Sequence, residues 1–306
     1  MRLASLSLPV IVAVAVPCFS PVSAPMAQDQ RIDTPFGKAP RECLVRHPDG
    51  SRVSETSTGL KVRYPDGTTR EYTASAACRD FARELRRRRA PTSTTGIPNG
   101  WFTYAATLVS AGVGTFTATY TVPPLPASAT PQILYYYIGL ESGAEGGSSP
   151  ILQPVLTYGG KSATPGYTLT TYVVDSKGGI INQGSVITGL QPGDTALASI
   201  TQVTPSSYAV SASWQGQPSS LVWDGAGGAV FDSSYVTLEI DTVTTCSQFP
   251  AGPFTAGSIA LVDVNHMSQS PTWFRVVGQQ CGSTLTVDAD NATISIQETE
   301  ASALPR

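Results

Sequence analysis

Three short stretches carry the residues that could do chemistry. Tyr135-Tyr136-Tyr137-Ile138-Gly139-Leu140-Glu141 ends in a carboxylate. Ile151-Leu152-Gln153 brings a carboxamide, and Tyr235-Val236-Thr237-Leu238-Glu239-Ile240-Asp241 brings two further carboxylates. A carboxyl group can act as general base toward water and then as general acid toward a leaving group. A nearby amide can hold that water and donate to the developing oxyanion. Two carboxylates working together would instead suit a glycosidase or a two-acid peptidase. After residue 97 the only histidine is His266, and no serine lies in a nucleophile-elbow pattern. With no metal-ligand spacing and no phosphate loop, the expected chemistry needs no cofactor and no metal.

Strands must position these groups, and strand alternation assigns their faces. Tyr235, Thr237, Glu239 and Asp241 fall on one side of their run, with apolar Val236, Leu238 and Ile240 on the other. Tyr135, Tyr137, Gly139 and Glu141 share a face, as do Ile151, Gln153, Val155 and Thr157. Residues 98–306 are rich in Thr, Val, Tyr, Ser and Gly, with turn signals every 8–12 residues or so. Strands are predicted over 101–109, 113–122, 132–140, 150–158, 167–175, 180–190, 196–203, 208–214, 220–223, 236–243, 258–264, 274–277 and 285–296. About a dozen strands in one domain predict an all-β fold, a large antiparallel sandwich or barrel. The three stretches should meet on one aromatic-lined face, a groove for an extended polymer.

The chain before this domain differs in character. An apolar run from Leu3 to about residue 22, after Met1-Arg2 and before Ala24 and Ala27, predicts a signal peptide over 1–27. Residues 28–90 hold fourteen Lys and Arg against nine Asp and Glu; residues 91–306 hold four against thirteen. A basic leader joined to an acidic domain suggests mutual attraction and argues against nucleic acid as a partner. No later stretch is apolar enough to span a membrane. Two Pro-Asp-Gly turns, at Pro48-Asp49-Gly50 and Pro65-Asp66-Gly67, predict hairpins, and 77–89 reads as a helix ending in Arg86-Arg87-Arg88-Arg89. That run and the linker after it predict a propeptide over 28–97, cut near Arg89. Beyond Cys18 there remain Cys43, Cys78, Cys246 and Cys281, most simply two disulfides, one within each segment, in a secreted protein. Asn291-Ala292-Thr293 is a glycosylation acceptor.

The motifs resemble those of the glutamic peptidases, or eqolisins. Trp101 precedes a strand ending Thr119-Tyr120-Thr121-Val122-Pro123, similar to the family's Thr-Phe-Thr-Val-Pro. Tyr137-Ile138-Gly139-Leu140-Glu141 resembles its Trp-Val-Gly-Ile-Asp, and Ile151-Leu152-Gln153 its Ile-Leu-Gln. Glu239 precedes Pro253-Phe254 by a similar spacing. Pro154-Val155 stands where the family has Thr-Gly, and Glu239 lacks its Ala-Glu-Trp setting. The resemblance implies a concanavalin- or lectin-like jelly-roll sandwich and a secreted acid endopeptidase. It further implies Gln153 and Glu239 as the catalytic pair, Trp101, Tyr137 and Glu141 lining the substrate groove, and a polypeptide substrate. It also suits a propeptide bound in cis until processing; a monomer is expected. Glu141 paired with Glu239 would resemble the neprosin-like peptidases. Two other functions fit the residues: a non-catalytic glycan-binding sandwich, and a two-carboxylate glycoside hydrolase.

Overall fold

The computed structural model describes residues 31–87, 97, 99–128, 131–142, 150–160, 166–175, 178–225 and 230–296. The expected signal segment and the cleavage point near Arg89 lie outside them.

The leader forms β1 (Arg31–Thr34), β2 (Gly37–Pro40), a 3-10 turn (Arg41–Cys43), β3 (Leu44–Arg46), β4 (Ser51–Glu55), β5 (Gly59–Arg63), β6 (Thr69–Thr73) and α1 (Ala76–Arg87). Next come β7 (Gly100–Leu108), β8 (Val113–Thr121), β9 (Ile133–Glu141), β10 (Ile151–Gly159), β11 (Tyr167–Val174), β12 (Ile181–Gln183) and β13 (Ile187–Leu190). β14 (Thr195–Thr204), β15 (Ser207–Trp214), β16 (Gln217–Asp224), β17 (Ser233–Asp241) and β18 (Phe254–Asp263) follow. The last are β19 (Phe274–Val276), β20 (Ser283–Val287) and β21 (Ala292–Ile296).

Apart from β1 and β2, which pair as a separate hairpin, these strands make a two-sheet sandwich, as the composition predicts. One sheet runs β19-β7-β17-β9-β10-β11-β12-β3, with β13 also on β11; the other runs β20-β21-β18-β8-β14-β15-β16-β4-β5-β6. Val236, Leu238 and Ile240 point between the sheets and pack in one core with Tyr136, Ile138, Phe116 and Phe254. Two predicted runs are each broken in two. The run over 180–190 breaks at Gly184, whose backbone lies so close to Thr171 and Ser219 that a side chain has no room. The run over 285–296 breaks at Asp288, whose carboxylate accepts the backbone N–H groups of Asp290 and Asn291 and forces a turn.

The leader is built into this sandwich. Both Pro-Asp-Gly turns form, with Gly50 and Gly67 at positive φ, and Cys43–Cys78 joins the 3-10 turn to α1. Yet β3 pairs in parallel with β12, and β4 pairs in parallel with β16, so the leader extends both sheets. Every other pairing between the strands is antiparallel. Arg52 fixes the second junction with two hydrogen bonds to Asp224, at 2.7 and 2.6 Å. Where the chain crosses between sheets it buries His47. Its backbone N–H donates to Gln183, and Nε2 lies 2.9 Å from Asn182 Oδ1. Cys246–Cys281 closes the second disulfide. Among the described residues no helix is long and apolar enough to cross a membrane.

Candidate active site

β9 and β17 lie side by side, so Thr237 stands opposite Tyr137 and Glu239 opposite Tyr135. β7 flanks them and sets Trp101 opposite Glu239, after a bulge. On the far side of β9, Val155 of β10 stands opposite Tyr137. The predicted faces therefore come together: Tyr135, Tyr137, Tyr235, Val155 and Tyr172 form one cluster on the outer face of the first sheet.

Glu239 is 7% exposed, and one of its carboxylate oxygens accepts the Tyr137 hydroxyl at 2.6 Å. Burial first, then the charge of Glu239, hold the Tyr137 phenol well above its usual pKa, so it remains a neutral donor. Asp241 is next on this face. Burial pushes its pKa up, against the pull of Lys38, whose ammonium lies 3.7 Å away.

Gln153 has a different partner. Its amide donates to the Tyr235 hydroxyl at 3.3 Å, and its carbonyl oxygen has no protein partner. By the register on either side, Gln153 stands opposite Gly139, and Tyr235 stands opposite Gly139 from the other strand. A side chain on Gly139 would meet the Tyr235 ring at 2.3 Å, so the missing Cβ makes the space in which that ring lies. The ring also packs on Trp101, with centroids 4.6 Å apart.

Gln153 and Glu239 share this face without touching. They are two strands and four residues apart, which puts their Cα atoms at roughly 16 Å by ordinary sheet spacings. Glu141 is nearer to Gln153, one strand over and two residues along. It is half-buried at the end of β9. Tyr235, not singled out as a site residue by the sequence, is built into the site and was legible as a face residue; Tyr120, legible only as part of a motif, supports it from the core between the sheets. Pro154 has no N–H, and the β9–β10 pairing skips Gln153 and Pro154. The Tyr120 hydroxyl fills the gap, accepting from Ile138 N at 2.7 Å and donating to Pro154 O at 2.9 Å.

The face is covered. Phe36, Ala39 and Phe81 of the leader belong to the same buried cluster as Tyr135, Tyr137 and Tyr235. Phe36 sits at the tip of the β1–β2 hairpin and meets Tyr172 edge-on at 6.0 Å. Lys38, beside it, bonds Asp33 at 2.7 Å and reaches toward Asp241. Elsewhere, Asn291 is exposed in the turn before β21, and His266 lies in the turn after β18.

The fold and face define a two-sheet β-sandwich with a buried acid–phenol pair beneath a hairpin of extended chain. No family model matches the chain, and no curated protein matches it. Among solved structures it is similar to scytalido-glutamic peptidase with a peptide-based transition state analog, at 14% identity and a TM-score of 0.49, over 64% of this chain and 98% of that one. Scytalido-glutamic peptidase with a transition state analog inhibitor gives 15% and 0.47, over 65% and 98%. SCP-B, a member of the eqolisin family of peptidases, in complex with the tripeptide Ala-Ile-His, gives 14% and 0.45, over 64% and 98%. These belong to the family that the motifs resemble. At such values no residue's role passes from them to this chain.

Proposed function

We propose that the protein is a secreted acid endopeptidase made as a latent precursor. The observation that carries this reading is the Glu239–Tyr137 pair lying under the leader's hairpin, on a face that already holds extended polypeptide. In the proposed reaction the Glu239 carboxylate takes a proton from water as its oxygen attacks the peptide carbonyl carbon. Tyr137 then turns its hydroxyl from the protonated Glu239 to the oxyanion. As the C–N bond breaks, Glu239 returns the proton to the leaving amine. Gln153 and Tyr235, on the Gly139 row two residues along from Tyr137, hold the substrate backbone, with the free Gln153 carbonyl oxygen accepting a substrate N–H. Trp101 and Glu141 flank that path. The protein acts as a monomer, and Asn291 carries a glycan.

Latency follows from where the leader sits. Its disulfide closes within residues 43–78 and the second within 246–281, so one cut in the linker leaves no covalent tie.

A second reading, peptide binding without cleavage, is favoured by one observation. The group facing Gln153 across Gly139 is the phenol of Tyr235 and not a carboxylate.

The test is cleavage of an unfolded protein at about pH 4, near the ordinary glutamate pKa, by the chain after cutting in the linker. Hydrolysis lost in Glu239→Gln supports the peptidase. Hydrolysis that survives the substitution removes Glu239 from the site, and none at any acid pH favours the binding protein.

A further inference from the structure

The leader covers only part of the site face. Where β7 meets β19, a cavity of about 600 Å³ opens beyond its edge. Phe274 pairs with Ala106, Ala106 with Tyr235, and Tyr235 with Gly139, so the cavity lies on the same cross-strand row as Gln153. Leu108 is opposite Ser233, which is in turn opposite Glu141. Leu108 is 71% exposed and Phe274 66%, although both project from a sheet face whose centre is buried. Neither belongs to the cluster closed by Phe36 and Phe81. Thr107, Ser233 and Gln269 supply hydroxyl and amide groups, and among the described residues none that lines the cavity carries a charge.

We infer that this cavity is a subsite for an uncharged apolar side chain, aromatic or branched aliphatic, of an extended polypeptide, open while the leader is still in place. Two features select that occupant. The cavity continues the face on which the leader's own extended chain rests. Its lining offers apolar contact with neutral hydrogen-bonding groups around it, in a domain that is otherwise acidic, so an acidic side chain would lose water for no partner. The inference rests on the peptide-binding part of the proposed function and not on cleavage.

The test uses the uncut chain with two blocked pentapeptides, acetyl-Gly-Gly-Phe-Gly-Gly-amide and its Asp counterpart, titrated to millimolar and followed by NMR shifts of Phe274 and its neighbours. Burying one such side chain corresponds to about tenfold or more in affinity. The Phe peptide is expected to bind at least that much tighter, with the preference lost in Leu108→Glu and in Phe274→Glu. Both side chains are exposed, so an unchanged unfolding midpoint serves as the folding control. Equal binding of the two peptides, or a preference that survives both substitutions, overturns the subsite. Self-association of the wild type that Leu108→Glu abolishes would also overturn it, since the occupant would then be a second copy. Neither peptide is expected to be hydrolysed by the uncut, latent chain, so the binding result stands apart from the peptidase reading, which is tested on the cut chain.

Discussion

The hydroxyl of Tyr137 lies 2.6 Å from the carboxylate of Glu239, and the two project from neighbouring strands of one sheet. Each is buried. A phenol held neutral by burial keeps its proton and donates it as a hydrogen bond to the carboxylate, which leaves the carboxylate as the group that can take up and return a proton.

Removing the donor should therefore be costly in two ways. Tyr137→Phe keeps the ring and deletes a charge-assisted hydrogen bond, an expected loss of about 1.5–3 kcal/mol in unfolding free energy. If the pair does chemistry, turnover of an unfolded protein at acid pH should fall by about two orders of magnitude with little change in KM. Denaturant titration and single-substrate kinetics measure the two effects separately. Unchanged turnover would leave Tyr137 a packing residue.

Tyr120→Phe tests the repaired ladder. It strands the Ile138 N–H and the Pro154 carbonyl between the sheets, both now satisfied by one hydroxyl. A loss of about 2–4 kcal/mol is expected. The double change with Pro154→Val should recover part of it, because a backbone N–H returns to β10. An additive double-mutant cycle would show that the two residues are independent.

Phe36→Ala should loosen the hairpin over the site. The ring is buried against Tyr172, so about 3 kcal/mol or more of packing is lost. The expected readout is faster amide exchange over 31–40 in the uncut chain, with the strands of both sheets unchanged. Faster exchange spread through β14 and β15 would mean that the ring supports the whole sandwich.

Acid should weaken the leader's hold through His47. Burial lowers its pKa from 6.5, while the bond to Asn182 works the other way. The folded value is then below the unfolded one. The contribution of His47 is complete above about pH 6.5 and is lost as pH falls through its depressed folded value. Asp241 runs in the opposite sense. Its folded pKa is raised above 3.8, so its share is present at low pH and is lost as pH rises through that raised value. Urea midpoints at pH 7 and pH 4.5 should show a drop in the wild type and a smaller one in His47→Gln. Equal drops would assign the acid sensitivity to other groups.

Much of this architecture was legible because strand alternation is a strong code. Glu239 and Tyr235 were assigned to one face by counting in twos from Val236, and the core residues on the other face followed from the same count. Register was not legible in this way. Alternation says which side of a strand Gln153 occupies, but the residue opposite it depends on how β9, β10 and β17 slide past one another. That is why Gln153 meets Tyr235 while Glu239 meets Tyr137. The leader's role was half legible. Its turns, helix and cysteine pairing follow from local composition, whereas its insertion into both sheets depends on partners more than a hundred residues away, such as Asp224 for Arg52 and Asn182 for His47. No local pattern encodes these.

The two parallel pairings carry a further cost. β12 and β16 would be the last strands of their sheets if β3 and β4 were gone. β16 is eight residues long and includes Leu221, Val222 and Trp223. Shedding the leader would bare the N–H and C=O groups that β4 now pairs along Leu221–Asp224, a template for another chain. If the chain is processed as proposed, it would gain an open site and an aggregation hazard in the same event, and the leader would then guard solubility as well as cover the face.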